Sequence, residues 1–368
     1  MAEVWTIQRC LSWTQTYLAE KGETKPRFLA EWLLSSVTKK SRIELYLSFD
    51  QPLSAEELKL MHTYVVRLVK GEPIQYITGE TQFRTLTIAC RPGVLIPRPE
   101  TELLVEEVLN YLDGKILPQT QTNKAVLPWN AEIEAARKAE AAAIEQTQAK
   151  DSSAENLGAE SMSNHDGTPV CNVDIAHTET TVAADDADKQ NTCRMARVLE
   201  IGTGTGCISL SLLAERPGLI NCVATDIAPA AVELAAHNCA ALELSGNQFD
   251  LREGDLIEPI RVDEQGQFDV LVSNPPYIPC NVMDKLPTNV KNYEPELALV
   301  SGVDGLDMYR RLIDVAPQML RSGGLFICEL YEDACEAAAQ LCREAGFVDV
   351  RVIADLTQRP RFVAAYMS

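Results

Sequence analysis

The run Asn274-Pro275-Pro276-Tyr277 carries the most specific chemistry in the sequence. Proline has no N–H, so the carbonyls before and within the Pro-Pro pair are left without ladder partners and face outward. A planar amide or amino nitrogen offers two N–H donors, which the Asn274 side-chain oxygen and the Pro275 carbonyl can accept together. Tyr277 can stack on the planar group. Holding such a nitrogen in line with an electrophilic carbon is mainly a positioning task, an effect worth ~7–11 kcal/mol. Two acceptors also disperse the charge that the nitrogen gains. The motif leaves open which molecule carries the nitrogen.

A second cluster supplies the partner. Glu200-Ile201-Gly202-Thr203-Gly204-Thr205-Gly206 places glycines at alternate positions, where the backbone turns tightly and approaches a ligand that any Cβ would repel. Cys207 stands where a dinucleotide fingerprint would have its third glycine, and there is no Gly-Lys-Ser/Thr for a nucleoside triphosphate. Asp226 follows at the spacing expected of a carboxylate that accepts from ribose hydroxyls. Asp255 is placed to accept from an adenine amino group, with Leu256 packed on the ring. A nucleoside donor without a pyrophosphate, S-adenosyl-L-methionine, fits these groups, and its sulfonium methyl is the electrophilic carbon. Glu329 is more readily structural than functional, and His237 is exposed or packed.

The elements that must position these groups follow from apolar periodicity. Strands are predicted at 197–201, 221–225, 249–253, 268–273, 325–330, 348–354 and 361–366, with helices at about 207–215, 229–242, 306–320 and 332–345. Near-continuous apolar strands alternating with helices predict a parallel sheet covered on both faces, and the short turn between the last two strands predicts an antiparallel edge. Residues 1–72 show apolar residues at helical intervals and read as a small all-helical domain. Residues 73–96 read as a β-hairpin linker, and 97–368 as the catalytic α/β domain. Its first helix is predicted to open at Pro97-Arg98-Pro99-Glu100-Thr101-Glu102, with Pro99 at the first helical position, and to end near Gly114. Residues 115–193 interrupt this domain with Ala, Glu, Gln, Thr, Ser and Asp in place of a core-forming pattern. This acidic insertion is expected to be disordered, apart from one solvated helix over 131–150.

The chain has 368 residues and a formal net charge of -20, which disfavours a non-specific grip on nucleic acid. No apolar run reaches the ~20 residues of a membrane span, and the first residues resemble neither a secretory signal nor an Arg-rich transit peptide. Eleven cysteines include no Cys-x-x-Cys pair, and the four histidines lack ligand spacing. A reduced, cytoplasmic, monomeric protein without metal or disulfides is expected.

The chain resembles the peptide chain release factor glutamine methyltransferases. The resemblance is carried by Glu72-Pro73-Ile74-Gln75-Tyr76-Ile77-Thr78-Gly79, Leu95-Ile96-Pro97-Arg98-Pro99-Glu100-Thr101-Glu102, the glycine loop, Asn274-Pro275-Pro276-Tyr277-Ile278-Pro279, Tyr293-Glu294-Pro295 and Asp304-Gly305-Leu306. It implies an α/β fold: a seven-stranded, Rossmann-like class I methyltransferase domain behind a helical N-terminal domain that grips the substrate. The implied acceptor is the glutamine of the Gly-Gly-Gln motif in class 1 release factors, methylated on its side-chain nitrogen. Glu200, Gly202, Thr203, Gly204, Thr205, Gly206, Asp226, Asp255, Leu256 and Asn274 would hold the donor. Asn274, Pro275, Pro276 and Tyr277 would hold the glutamine, while Arg98 and Glu100 belong to the segment that closes the site. The chain departs from the family pattern at Tyr331, where Glu-x-Gly is usual, in the loop 355–360, and at Leu256, often aromatic. Other readings are a ribosomal-protein glutamine methyltransferase, a nucleic-acid adenine methyltransferase, and a silent binder that recruits a basic partner.

Overall fold

The computed structural model of the chain describes residues 4–117, 194–244 and 248–368. The predicted insertion, with its helix over 131–150, lies outside the described residues apart from its first three positions, 115–117.

Helices α1 (Ile7–Glu20), α2 (Pro26–Thr38), α3 (Arg42–Leu47) and α4 (Ala55–Val69) form where the first segment predicts helices, and α5 (Ile74–Thr78) follows within the linker. Their starts are chemically marked. Pro26 opens α2, and Ser41 with Glu44 and Ser54 with Glu57 form reciprocal capping boxes on α3 and α4. The inward faces, including Leu18, Leu33, Leu34, Leu45, Met61 and Val65, make one buried cluster. The Arg67 guanidinium binds Glu72 and the carbonyls of Tyr76 and Ile77, so α5 is fastened to α4.

The linker differs from its prediction. Ile74, Tyr76 and Ile77 are buried on a single helical turn that ends at Gly79, with φ +83°. Only β1 (Glu80–Phe83) and β2 (Leu86–Ala89) form the antiparallel hairpin. Spacing of two and three residues is ambiguous over so short a run, and burial of the turn against α4 decides it. Phe83, Leu86 and Ile88 enter the core of the α/β layer. Asn238 secures the hairpin's end, accepting from the Ala89 N–H (2.8 Å) and donating to the Ala89 and Thr205 carbonyls (3.2 and 2.9 Å).

Helix α6 (Thr101–Lys115) begins two residues later than predicted. Tight turn bonds from Thr101, Glu102 and Leu103 to the carbonyls three residues back occupy the segment in which Pro99 would have opened the helix. The remaining elements are β3 (Ala196–Ile201), α7 (Cys207–Glu215), β4 (Ile220–Asp226), α8 (Pro229–Ala241), β5 (Phe249–Glu253), β6 (Phe268–Ser273), α9 (Thr288–Lys291), α10 (Asp307–Met319), β7 (Leu320–Glu329), α11 (Cys335–Glu344), β8 (Val348–Ala354) and β9 (Pro360–Tyr366). The sheet runs β5-β4-β3-β6-β7-β9-β8. Pairing is parallel from β5 to β7, and β9 lies antiparallel between β7 and β8. The last two strands thus pair antiparallel at the sheet edge as expected, with β9 inside and β8, which runs parallel to the other strands, outermost.

Alternation along each strand splits the core. Val198, Val270, Val272 and Ile327 pack with α6 and α7, while Leu199, Leu271, Phe326 and Cys328 pack with α10 and α11. Strand β3 pairs with both β4 and β6, so the chain order reverses there. That switch point opens a crevice at the carboxyl ends of the strands. No helix among the described residues is long and apolar enough to cross a membrane.

Candidate active site

A cavity of about 200 Å³ occupies this crevice. Glu200, Gly202, Thr203, Gly204, Thr205, Asp226, Asp255, Leu256, Asn274, Pro276 and Arg98 all line it, so most of the predicted site residues converge. Gly206, Pro275, Tyr277 and Glu100 are not among the residues that line it.

Gly206 caps α7 with φ +81°. A Cβ there would stand 3.2 Å from that of Ala235 and 3.1 Å from Leu210 Cδ1. It therefore lets α7 and α8 approach behind the loop. Gly204, with φ +56°, faces the cavity and donates its N–H to Asp226 Oδ2 at 2.9 Å. The other oxygen, Oδ1, accepts from the Ala228 N–H at 2.9 Å. Asp226 thus braces the glycine loop, and each oxygen keeps lone-pair capacity for a ligand. Burial pushes its carboxyl above the usual range, against three backbone N–H donors that oppose the shift.

Glu200 is 1% exposed. Its Oε2 accepts from the Ser209 N–H (3.1 Å) and hydroxyl, while Oε1 is buried without a partner. Burial raises this carboxyl to about 7. Asp255 is partly committed, since Oδ2 pairs with Arg311 Nη2 at 2.6 Å, and Arg311 lines the same cavity. Leu256 is buried and offers an apolar surface.

Asn274 lies across from the glycine loop. Its Nδ2 donates to Thr101 Oγ1 at 3.0 Å, and Thr101 in turn donates to Glu329 Oε2 at 2.7 Å. Its Oδ1 is buried and has no partner. The Pro275 carbonyl likewise receives no hydrogen bond among the described residues. Tyr277 corrects the stacking prediction: its hydroxyl donates to Glu329 Oε1 at 3.1 Å and its ring packs on the core beneath the motif. The buried Glu329 is an acceptor for the phenol, and Tyr277 is not among the residues that line the cavity. The Tyr277 backbone N–H is held by the Leu299 carbonyl at 3.1 Å.

The closing segment is fixed by Glu294, a residue that the sequence marks only as part of a motif. Glu294 is 6% exposed. It accepts from Arg98 Nη2 at 2.6 Å and from the Ile96 N–H at 3.3 Å. Glu100 stands at the N-cap position of α6 without a side-chain capping bond, and the next residue, Thr101, lines the cavity in its place. Thr101 is a further site residue absent from the predicted set. Its signal is position alone, one residue inside the Pro-rich segment. Tyr331, the departure at the end of β7, is not among the cavity residues.

The donor predicted from the sequence fits what is here. Three buried oxygens of cavity residues, Glu200 Oε1, Thr203 Oγ1 and Asn274 Oδ1, can receive hydrogen bonds from a ligand. The glycine loop leaves backbone open toward it.

Comparison with known proteins gives two family-model matches: the PrmC N-terminal domain over residues 9–79 and the methyltransferase small domain over residues 182–285. A release factor glutamine methyltransferase of Geobacter sulfurreducens is 33% identical over 94% of this chain and 92% of its own length. Proteins of the same name from Rhodopirellula baltica and Chlorobaculum tepidum are 28% and 29% identical, each over 98% of this chain and 96% of their own.

Proposed function

The chain belongs to the release factor glutamine methyltransferase family, and from that premise we propose that it methylates the side-chain amide nitrogen of the Gly-Gly-Gln glutamine in class 1 release factors. The donor is S-adenosyl-L-methionine, whose sulfonium supplies an electrophilic methyl group when bound. Glycines 202 and 204, Asp226, Asp255 and Leu256 hold it on the β3–β5 side. The free Oε1 of Glu200 is an acceptor for its ammonium.

One observation carries the acceptor assignment: a buried asparagine oxygen in the cavity wall with no partner. A carboxamide NH₂ placed there donates one hydrogen to Asn274 Oδ1 and the other to the Pro275 carbonyl. Both hydrogens are then engaged, and the nitrogen gains electron density as it takes the methyl group; the carbon–sulfur bond breaks with its electron pair left on sulfur as a neutral thioether, and one of the two nitrogen protons is released to solvent. Leaving a buried acceptor unmet costs roughly 1–3 kcal/mol, so the site favours a ligand that meets it. The Arg98–Glu294 pair holds the closing segment against the opposite side, which keeps water from the reacting nitrogen. The helical domain grips the release factor, and the reaction takes place in the cytoplasm. The nine described cysteines are free thiols, which suits that compartment.

The test is transfer of labelled methyl from S-adenosyl-L-methionine to a purified class 1 release factor, with its Gly-Gly-Gln glutamine intact or changed to alanine. Label on the intact protein alone is the expected result. Label on neither, with the donor bound, would refute the assignment and move the search to a ribosomal-protein glutamine.

A further inference from the structure

The two ends of an asparagine carboxamide have nearly the same shape and opposite chemistry. At Asn274 the difference decides function, because an NH₂ turned toward the substrate would meet another NH₂. What sets the orientation is on the far side of the residue. Thr101 is 2% exposed and Glu329 is 1% exposed, so neither can exchange partners with water. The Thr101 hydroxyl has one hydrogen, directed at Glu329 Oε2 (2.7 Å). The oxygen that remains can only accept, and what it accepts is the Asn274 Nδ2–H at 3.0 Å. Tyr277 donates to the other oxygen of Glu329 at 3.1 Å, so the carboxylate is fixed at both ends by groups that require an acceptor.

We propose that Glu329, acting through the Thr101 hydroxyl, is a positioning residue that fixes which end of the Asn274 carboxamide faces the substrate. The inference rests on the glutamine reading above and adds two residues to it, neither of which touches the reacting nitrogen. An ionised Glu329 only accepts, so the chain of donors runs from Asn274 to Thr101 to Glu329. A protonated Glu329 can donate to Thr101. Thr101 then donates to the asparagine, and the carboxamide turns its NH₂ into the site.

The groups facing Glu329 are Tyr277 on the motif loop, Arg361 on β9, Glu100 before α6 and Cys207 at the start of α7. Burial is the largest influence and places the Glu329 carboxyl above the ordinary range, while Arg361 and its hydrogen-bond donors oppose this. Orientation is therefore lost as pH falls through that raised value.

Four variants test the relay: Thr101→Ser, Thr101→Val, Glu329→Gln and the Thr101→Val/Glu329→Gln double. Each is checked by thermal melting and by calorimetric binding of S-adenosyl-L-methionine. With the release factor as substrate, Thr101→Val and Glu329→Gln are expected to lower kcat/KM on the order of 10–100-fold. Thr101→Ser should restore most of the rate. The double variant should be no worse than Thr101→Val, because the two residues act in series. With S-adenosyl-L-methionine saturating at every pH, so that titration of Glu200 does not enter, the acid limb of the wild-type profile should be absent from Glu329→Gln, a change that a purely structural role would not produce. Hydrogen exchange of the Asn274 side-chain NH₂, which needs no substrate, should show one protected proton in wild type and Thr101→Ser and none in Thr101→Val. Wild-type kcat/KM in Thr101→Val, or multiplicative losses in the double variant with the acid limb retained in Glu329→Gln, would overturn the relay. If wild type labels no release factor while the protection pattern holds, the glutamine reading has failed and the relay stands.

Discussion

Replacing Glu200 with glutamine should make the protein more stable at neutral pH and leave it unchanged in mild acid. The Glu200 carboxyl is fully buried and lifted from 4.5 to about 7. A tenfold change in proton affinity is worth ~1.4 kcal/mol, so that difference amounts to about 3 kcal/mol. The sign follows from proton counting. Between these two values the folded chain holds a proton that the unfolded chain has released, so stability falls as pH rises through the window and is level above about 7. Glutamine removes the charge and keeps the shape. Its oxygen can still accept from the Ser209 N–H and hydroxyl, and its NH₂ takes the place of Oε1, where it can donate to the neighbouring Thr203 hydroxyl. Urea unfolding of both proteins from about pH 5 to about pH 8 should give curves that meet near the acid end and separate by about 3 kcal/mol at neutrality. A separation that is the same at every pH would refute the reasoning. Donor affinity should move the other way, falling about tenfold in Glu200→Gln, since the acceptor proposed for its ammonium has lost its charge.

Asn274→Ala should leave S-adenosyl-L-methionine affinity nearly unchanged by calorimetry and lower the methyl-transfer rate on the order of 10²–10³-fold; equal loss of both would remove the role given to that oxygen. Gly206→Ala forces an L side chain to φ +81° against Ala235 and should destabilise the protein by about 1–3 kcal/mol, read as a lower melting temperature. The wholly buried Asp269 accepts from Arg194 at 2.7 and 2.6 Å and from the Arg197 N–H at 2.9 Å. Arg321 Nε also lies 3.1 Å from Asp269 Oδ1. Asp269→Ala should cost about 2 kcal/mol by urea unfolding, less than the ~3–5 of a fully buried pair, because the partly exposed Arg194 and Arg321 guanidinium groups can turn to water. No change in that measurement would mean that the pair contributes nothing net.

The parallel sheet is legible in the sequence because stretches such as Leu325-Phe326-Ile327-Cys328 are apolar on both faces, a pattern that a doubly covered sheet explains. The glycine loop and Asp226 are legible because positive φ and a carboxylate at a strand end have few other uses. Tyr277 departs from its expected role for a physical reason. Its type allows stacking or hydroxyl bonding, and the choice belongs to Glu329, 52 residues away in the chain. Thr101 is silent for the same reason: a threonine at the start of a helix reads as local, while its hydroxyl serves β6 and β7. The position of β9 inside the sheet is also hidden, since a short turn specifies antiparallel pairing and says nothing about which strand takes the edge.

The cavity wall made by residues 93–98 and Thr101 places the N-terminal side of the chain inside the reaction site. Three anchors hold it there, each joining residues far apart in sequence: Asn238 to the hairpin and glycine loop, Glu294 to Arg98 and the Ile96 N–H, and Asn274 to Thr101. Each anchor uses a buried polar side chain, which costs stability unless every partner is met. Hydrophobic contact alone would hold the hairpin, since Phe83 and Ile88 are already in the core. What contact cannot do is fix a wall to within a few tenths of an ångström, and donor–acceptor geometry does that. The polar anchors therefore cluster where methyl transfer needs alignment, between the strap over the site and the two loops that hold donor and acceptor.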